Sequence, residues 1–451
     1  MAANKIDMTQ GSIFPKLIRF AVPLIFSSIL QLLFNAADII VVGRFAGDNS
    51  LAAVGSTSSL VNLLVNFFIG LGIGCNVVAA NYLGSMKSEK VSRTVHTSMV
   101  LSVFGGILLT FIGVTFSRQI LVLMGSPEVV LPLSTLYLKI FFSGVTPTVI
   151  YNFGASLLRA KGDTKRPLYI LFVAGLINVV LNLIFVICFK MDVAGVAVAT
   201  VISQSFSAVV IVILLLREKD AFRLEFRKLK IDFHILSKIV RIGIPAGLQG
   251  MIFSISNVVI QSSVNSFGPV MIAGNAAAQG VEGFIYISMN GFSQAMLTFA
   301  GQNMGAGKID RIKKAVRDSI LCASFAGIIL GCLAIVFGPV LLGFYSTSPE
   351  VQAAGMIRLK VILLTYFTCG IMDCTANAIR GVGHSVLPMI ITLLGACGLR
   401  MLYIFTFFQI PRFHTFQGIF YSYPISWTVT AAILAIGFVR ILKTISVKDK
   451  D

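Results

Sequence analysis

Three carboxylates lie inside long apolar segments, where an ionised group is energetically unfavourable. Asp38 falls within LLFNAADIIVVGRF, Glu282 within AAQGVEGFIYISMN and Asp373 within GIMDCTANAIRG. Insertion scales put the cost of a charge at the centre of a membrane helix at about 2.5–3.5 kcal/mol. Binding of a proton or Na⁺ would neutralise such a carboxylate. We therefore take the three as candidate functional residues.

Amide and hydroxyl side chains supply candidate partners for Asp38. Asn178 and Asn182 are spaced i, i+4 in GLINVVLNLIF, so they share one face of a helix. Their carbonyl groups can ligate Na⁺ or hold a protonated carboxyl group. Thr200, in AVATVIS, adds a small hydroxyl. Hydrogen bonding between helices is the structural alternative for these residues, and it stays open for Asp38 as well.

The second half of the chain carries candidates for a substrate cavity. Glu282 lies among small and polar residues, which suits a helix that lines a wet cavity and attracts a cationic ligand. Tyr286 and Met289 offer aromatic and adaptable apolar contacts nearby. Asp373 has the same two interpretations, binding or structure. Arg400 is the clearest cation in an apolar segment, and the sequence leaves open whether it pairs with Glu282 or Asp373 as a structural lock.

Motifs of catalysis and ATP hydrolysis do not occur in the sequence. GAGK at 305–308 lacks the glycine spacing and the Ser/Thr of a phosphate-binding loop, and the four histidines are scattered. The seven cysteines lack metal-ligand spacing. We therefore predict a protein that is not an enzyme and has no cofactor, and whose transport would be driven by an ion or substrate gradient.

The elements that must position these residues are membrane-spanning helices. The chain has 451 residues, 56% hydrophobic and 12% charged, whereas soluble domains carry about 25% charged residues. The predicted fold is an all-α polytopic membrane protein, with twelve transmembrane helices in two pseudo-symmetric six-helix bundles. The predicted spans are 15–42, 50–80, 94–117, 131–158, 167–189, 193–216, 240–267, 270–300, 316–341, 352–379, 387–409 and 418–441.

An internal repeat relates the two halves. RFAVP at 19–23 resembles RIGIP at 241–245, and LRAKGDTKRP at 158–167 parallels IRGVGHSVLP at 379–388. The repeat predicts an N-lobe at 1–216, a cytoplasmic linker at 217–238 and a C-lobe at 239–451. Because each half holds an even number of spans, both halves have the same orientation. Paired bundles of this kind hold a substrate between them and alternate access to it.

The net charge of +18 reflects topology. With the N-terminus inside, 28 of the 36 Lys and Arg fall in cytoplasmic segments, Arg380 among them, and four fall in outer segments. Arg358 and Arg400 belong to the four that lie within spans. This bias predicts a multi-pass plasma-membrane protein with both termini in the cytoplasm. It also assigns the basic surface to anionic lipid rather than nucleic acid. We expect a monomer.

Several motifs together resemble the multidrug and toxic compound extrusion (MATE) transporters over nearly the whole chain. They are LLFNAADIIVVGRFAG, YLGS, NMGAGK, LLRAKGDTKRP and AIRGVGHSVLP, in this order and spacing. The resemblance implies efflux of amphipathic, often cationic, compounds in exchange for H⁺ or Na⁺ by alternating access.

The resemblance also implies roles for particular residues. Asp38 matches the first-helix aspartate of the cation site, with Asn178, Asn182 and Thr200 as its partners and Na⁺ at the first three as one option. Some members carry a second aspartate where Asn182 stands, so the choice between H⁺ and Na⁺ stays open. The substrate set, by contrast, is predicted from burial and residue type, and consists of Glu282, Tyr286, Met289, Asp373 and Arg400. The alternative function is a flippase for lipid-linked precursors, for which a single deep cation is unfavourable.

Overall fold

The computed structural model describes residues 6–448, apart from the side chains of 48, 59 and 446–448, and its long elements are all α-helices. The ends of the predicted lobes, 1–5 and 449–451, lie outside the described residues. The helices are α1 Ile13–Phe45, α2 Asp48–Gly84, α3 Ser88–Leu123, α4 Leu131–Ser143, α5 Val145–Lys161, α6 Lys165–Leu183, α7 Asp192–Leu216, α8 Phe233–Asn265, α9 Pro269–Gly305, α10 Ile309–Val336, α11 Gly338–Gly343, α12 Pro349–Leu363, α13 Tyr366–Gly381, α14 Val386–Thr392, α15 Leu399–Phe405, α16 Phe416–Phe420 and α17 Ser422–Lys448. A π-helical segment follows α6 at Ile184–Cys188, and another joins α14 to α15 at Leu393–Gly398.

The helices are long and apolar enough for a multi-pass membrane protein. Within residues 6–448, nine satisfy the length and composition of a membrane span, and two bent pairs raise the number to eleven. Helix α9, with 37 residues, is long enough to cross but carries several Asn, Gln and Glu side chains that lower its hydropathy. With α9 added, the helices of spanning length within the described residues fit the predicted set of twelve. The predicted all-α membrane fold is confirmed.

Two predicted spans are bent helix pairs rather than straight helices. Helices α4 and α5 meet at 48°, and α12 and α13 meet at 49°. Gly144 separates the first pair, and an added Cβ there would lie 2.3 Å from the methyl groups of Val201. Because no side chain fits between the bend and Val201, the bend of the first pair needs glycine at this position.

Helices α1 and α8 each contribute to two compact units. Unit 1 contains 6–7 and Phe26–Gly247, whereas unit 2 contains Met8–Ile25 and the described chain from Leu248 to Lys448. The predicted lobes are single continuous segments, so the compact units differ from them in sharing these two helices. Pro23 and Pro245 lie two residues before the points of change. A proline inside a helix removes one backbone hydrogen bond and weakens the helix there.

The internal repeat is visible in one close helix contact of each unit. In unit 1, a Cβ added to Gly70 of α2 would lie 2.3 Å from the backbone nitrogen of Gly247 in α8. In unit 2, a Cβ added to Gly291 of α9 would lie 2.3 Å from Ile25 of α1. The four positions correspond at the spacing of the sequence repeat, 221 or 222 residues. The repeat therefore preserves a glycine contact as well as a sequence pattern.

The segment predicted as the linker, 217–238, packs on unit 1. Glu218 forms a buried ion pair with Lys161 of α5. The backbone N–H of Glu225 donates to Nε2 of His96 in α3 at 3.0 Å. Asp232, which precedes α8, faces Arg93 of α3 with an oxygen–nitrogen distance of 3.4 Å. These contacts hold the segment against the ends of α3 and α5.

Candidate functional site

A polar stripe on α1 leads to Asp38. Gln31, Asn35 and Asp38 are spaced i, i+4, i+7, which places them on one face of the helix. One turn later, Val41 and Val42 are buried in an apolar cluster with residues of other elements of unit 1. The half-buried Asp38 therefore lies next to the apolar core that fixes this end of α1.

The four residues predicted for cation coupling form one hydrogen-bonded chain. Nδ2 of Asn182 donates to Oδ1 of Asp38 and lies 3.3 Å from Oδ1 of Asn178. Nδ2 of Asn178 in turn donates to the hydroxyl of Thr200 over 3.4 Å. Helices α1, α6 and α7 thus bring Asp38, Asn178, Asn182 and Thr200 together, although the contacts alone do not assign them a function.

The side-chain carbonyl oxygen of Asn182 has no hydrogen-bond partner among the described residues. Its side chain is fully buried, and its Oδ1 accepts no hydrogen bond from the part of the chain that the structure describes. Most buried polar atoms in folded proteins have a partner, so an orphaned acceptor calls for an explanation. A carbonyl oxygen beside a carboxylate is suited to a hard cation, which prefers oxygen ligands.

A small cavity adjoins this chain of residues. Its volume is about 70 Å³, and its walls include Asp38, Asn178, Thr200, Gln31 and Asn35. A water needs roughly 10–15 Å³ of such space, so the cavity has room for an ion with a few waters. Drug-sized ligands occupy pockets of about 300–1,000 Å³. The geometry therefore fits a cation or proton site rather than a site for an amphipathic compound.

Local backbone features place the asparagines. Asn182 lies at the end of α6, directly before the π-helical segment Ile184–Cys188. Widened turns of this kind occur often at functional sites because they shift the side chains around them. One turn before Asn178, Gly175 lets α6 approach the ring of Phe34, which an added Cβ would meet at 1.7 Å. Gly175 and Phe34 both line the cavity.

In unit 2, Glu282 is paired with Arg358. Nε and Nη2 of Arg358 donate to the two carboxylate oxygens of Glu282 at 2.8 and 2.7 Å, and Nη1 donates to Asn275 at 2.8 Å. All three side chains are buried. The sequence had left open a pairing of Glu282 with Arg400 or another group, and the partner is Arg358. The ion pair favours a structural role for Glu282, whose predicted contact with substrate stays a prediction.

The expectation of a single deep cation is wrong for unit 2. Arg358 is 3% exposed, and Arg380, which the sequence assigns to a cytoplasmic segment, is 7% exposed. Arg380 donates to Oδ1 of Asn377 at 2.6 Å and to the side-chain Oε1 of Gln249. The sequence pattern could not show this, because Arg380 lies at a predicted span end and its partner Gln249 is 131 residues away.

The remaining predicted cavity residues of unit 2 lie in different surroundings. Asp373 is half-buried and hydrogen bonded to Tyr286, and Arg380 acts on it electrostatically. Tyr286 is 38% exposed. Met289 is 2% exposed, and its sulfur would lie 2.6 Å from a Cβ added to Gly327 of α10. Met289 therefore packs in the helix core, while Asp373 and Tyr286 form a polar pair.

Arg400 is 3% exposed and lies between aromatic rings. Its guanidinium carbon is 4.2 Å from the ring centroid of Tyr423 and 5.3 Å from that of Trp427. Its Nε donates to the hydroxyl of Ser426 at 3.0 Å. A desolvated cation–π contact is worth about 2 kcal/mol. Burying an ion without a counterion costs several kcal/mol, so the rings compensate only part of this cost.

Sequence reasoning missed several residues of these sites. Gln31 and Asn35 line the cavity of unit 1, and Ser203 and Gln204 line it from α7. Their helical spacing from Asp38 and Thr200 is a signal that the sequence contained. The ion pair of Arg358 with Glu282 had no such signal, because the two residues lie on different helices and are 76 positions apart in the sequence.

Solved structures of one class share this fold. A structure titled as the outward-facing conformation of a multidrug resistance MATE family transporter of the MOP superfamily superposes with a TM-score of 0.92. The two chains are 20% identical, and 99% of each is covered. At this identity the likeness concerns the fold alone.

The family itself follows from the sequence. The MatE family profile matches residues 23–184 and 245–406, one match in each half of the chain. The chain therefore belongs to the MatE family, and the resemblance noted from its motifs is confirmed. The family consists of membrane transporters rather than enzymes.

Two relatives are similar to the chain along most of their length. The probable multidrug resistance protein YoeA of Bacillus subtilis (strain 168) is 28% identical over 433 residues, covering 94% of this chain and 93% of the relative. The multidrug export protein MepA of Staphylococcus aureus (strain NCTC 8325 / PS 47) is 21% identical over 398 residues, covering 88% of both.

Proposed function

We propose that the chain is an ion-coupled efflux antiporter. It exports amphipathic compounds, cationic ones among them, in exchange for H⁺ or Na⁺ by alternating access. The names of the relatives, a multidrug resistance protein and a multidrug export protein, support efflux of several compounds. They do not favour the alternative, a flippase for lipid-linked precursors.

One observation carries the ion coupling. The carboxylate of Asp38 is held by Asn182, whose orphaned carbonyl oxygen lies in the same buried, oxygen-rich group beside a cavity of about 70 Å³. A bound proton or Na⁺ would cancel the charge of Asp38 and remove the cost of burying it. Loss of the ion would restore the anion, so occupancy and conformation would be linked.

Within this group each residue has a distinct role in the proposal. Asp38 carries the charge that the ion neutralises. Asn182 holds the carboxylate in place and offers its carbonyl oxygen, with Asn178 behind it. Thr200 orients Asn178 through the bond of 3.4 Å. The coupling ion is treated as transported cargo.

The substrate site is a separate proposal for unit 2. Asp373 and Tyr286 form a polar pair whose tyrosine is partly exposed, so they could receive the cationic part of a compound. Arg380 acts on Asp373 electrostatically, and its positive charge weakens the attraction of Asp373 for a cation. Met289 would support this pair from the core.

The orientation and location follow from the charge bias. The basic segments would face the anionic inner leaflet of the plasma membrane, with both termini in the cytoplasm. Each chain would act as a monomer. A reporter fused to either terminus and assayed for access from outside intact cells tests the orientation, and labelling of a terminal tag from outside would contradict it.

The experiment that tests the coupling uses purified protein in proteoliposomes. Efflux of the fluorescent amphipathic cation ethidium is measured under a pH gradient and, separately, under a sodium gradient. We expect one gradient to drive efflux in the wild type and neither to do so in Asp38→Asn. Glu128→Gln, which removes an exposed acid of unit 1, is the matched control. Gradient-driven efflux by correctly folded Asp38→Asn at the wild-type rate would refute the role of Asp38.

A further inference from the structure

Arg400 is a buried cation with incomplete hydrogen bonding. Its Nε donates to Ser426, but its two terminal amino groups donate to no residue that the structure describes. Arg358 differs, since its Nε, Nη1 and Nη2 all donate to Glu282 or Asn275. An arginine stays protonated in proteins, so Arg400 cannot avoid its charge by losing a proton.

Within the part of the chain that the structure describes, no carboxylate forms an ion pair with Arg400, whose one hydrogen bond goes to Ser426. Its electrostatic neighbours are Tyr423, Cys369, Cys397 and Tyr366. The acids of the described part of unit 2 that could reach into the core are engaged elsewhere. Glu282 is paired with Arg358, Asp318 with Arg317, and Asp373 with Tyr286. Arg400 therefore lacks an ion-pair partner among the described residues, and a bound anion would supply one.

The surroundings of Arg400 match the two ends of an amphipathic anion. A guanidinium with free Nη1 and Nη2 groups presents two parallel donors, which fit the two oxygens of a carboxylate or phosphate. The rings of Tyr423 and Trp427 lie against the guanidinium and are 7% and 5% exposed, so the remainder of the molecule would contact what is left exposed of them. The π-helical segment Leu393–Gly398 ends two residues before Arg400, and such segments allow local backbone adjustment.

We propose that Arg400 binds an oxyanion, the carboxylate or phosphate group of an amphipathic molecule whose apolar part contacts Tyr423 and Trp427. The site is separate from the Asp38 group, and its ligand class is opposite in charge to the cations of the proposed efflux. Transported compounds would then include amphipathic anions and zwitterions. This last step rests on the proposed function, whereas binding of the oxyanion does not.

The fluorescence of one native residue can report binding at this site. Trp427 is the single tryptophan of the chain, and its ring lies 5.3 Å from the guanidinium carbon of Arg400. The full-length protein in an uncharged maltoside detergent is titrated with octyl phosphate while tryptophan emission is recorded. Octyltrimethylammonium, with the same alkyl chain and the opposite charge, is the control ligand. We expect a saturable emission change with octyl phosphate and none with the ammonium compound.

Three variants separate binding from a structural role. Arg400→Gln should weaken octyl phosphate binding by about tenfold or more, because a charge-assisted bidentate contact is lost. Arg400→Lys keeps the charge but not the paired donors, and should weaken binding by about threefold or more. Arg317→Gln removes an exposed arginine of the same unit and should leave binding unchanged.

The outcomes are distinct. An absent response in the wild type, or equal affinity in the wild type and Arg400→Gln, would overturn the proposal. If Arg400→Gln does not fold, equal affinity in the wild type and Arg400→Lys would overturn it instead. Efflux of ethidium that persists in Arg400→Gln, together with lost octyl phosphate binding, supports the oxyanion site independently of the coupling through Asp38.

A lipid headgroup and a soluble compound could both supply the oxyanion. The titration is therefore repeated in nanodiscs of phosphatidylcholine alone and of phosphatidylcholine with phosphatidylglycerol. A lower apparent affinity for octyl phosphate in the anionic nanodiscs supports the site with a lipid headgroup as its occupant. Equal, Arg400-dependent affinity in both supports it with a soluble ligand. Absence of a response in both contradicts the proposal.

Discussion

Arg358 and Glu282 face each other through two parallel hydrogen bonds of 2.8 and 2.7 Å in the core of unit 2. The guanidinium carbon of Arg358 also lies 5.0 Å from the ring centroid of Phe420 and 5.4 Å from that of Tyr423. Helices α9 and α12 are thereby joined to the segment of α16 and α17 by one charged group. The arrangement makes a clear prediction for stability.

Removing one member of this pair should destabilise the protein strongly. Glu282→Gln and Arg358→Met each leave a buried charge unpaired, for which losses of about 3–5 kcal/mol are typical. The double variant should lose less than the sum of the two. Thermal unfolding of the detergent-solubilised proteins measures this. Lys313→Met, in the exposed pair of Lys313 with Asp310, should change stability by about 1 kcal/mol or less. Additive losses in the double variant would contradict the pairing.

The hydrogen-bonded chain around Asp38 predicts a graded effect on coupling. Asn182 donates directly to the carboxylate, and hydrogen bonds to charged groups are worth about 1.5–3 kcal/mol. Asn182→Ala should therefore reduce gradient-driven ethidium efflux by about tenfold or more. Thr200 acts through a neutral bond of 3.4 Å, so Thr200→Val should reduce efflux by about threefold at most. Equal losses in the two variants would contradict this order.

Gly175 predicts a steric effect on the cavity. An added methyl group would meet the ring of Phe34 at 1.7 Å, so the ring must move within the cavity that it lines. We expect Gly175→Ala to lose about 1–3 kcal/mol of stability and to transport more slowly. Gly55→Ala on α2, where nothing lies within 4 Å of the new group, is the control. Unfolding temperatures and efflux rates are compared, and an unaffected Gly175→Ala would show that the contact is unimportant.

Asp232 predicts a pH dependence at the start of α8. Its Oδ1 accepts hydrogen bonds from the backbone N–H groups of His234 and Ile235 at 3.0 and 3.2 Å. The bond from Ile235 and the neighbouring Arg93 lower the pKa of Asp232 below its ordinary value. The stabilisation is therefore present above the unfolded pKa of about 4 and is lost as the pH falls through the folded pKa.

The measurement is unfolding temperature against pH. At pH near 7, Asp232→Ala should be less stable than the wild type by about 1 kcal/mol, and the difference should shrink below about pH 4. Asp232→Asn retains a capping oxygen and should show an intermediate loss with little pH dependence. If the difference in unfolding temperature between the wild type and Asp232→Ala increases as the pH falls, the predicted pH dependence is wrong.

The sequence could predict the features that depend on local pattern. Long apolar runs indicated the helices, and the repeat around Pro23 and Pro245 indicated two related halves. Asp38, Asn178 and Asn182 stood out because polar residues at helical spacing are rare in such runs. The structure brings them together because α1 and α6 each present one polar face.

Features that depend on distant partners could not be predicted in the same way. The pairing of Glu282 with Arg358 joins positions 76 residues apart, and that of Gln249 with Arg380 joins positions 131 apart. Met289 lies one helical turn after Tyr286, on the face predicted to line the cavity. Its sulfur instead packs against Gly327 of another helix, in the core. The sharing of α1 and α8 between the compact units likewise depends on tertiary contacts.

The contact of Gly70 with Gly247 has a consequence for the surrounding bilayer. With backbone atoms this close, no acyl chain or lipid-soluble compound can slip sideways between α2 and the first half of α8. The same holds one turn further along, where a Cβ on Gly74 would lie 2.3 Å from the carbonyl oxygen of Ile239. Hydrocarbon that reaches the interior of unit 1 must enter along another seam.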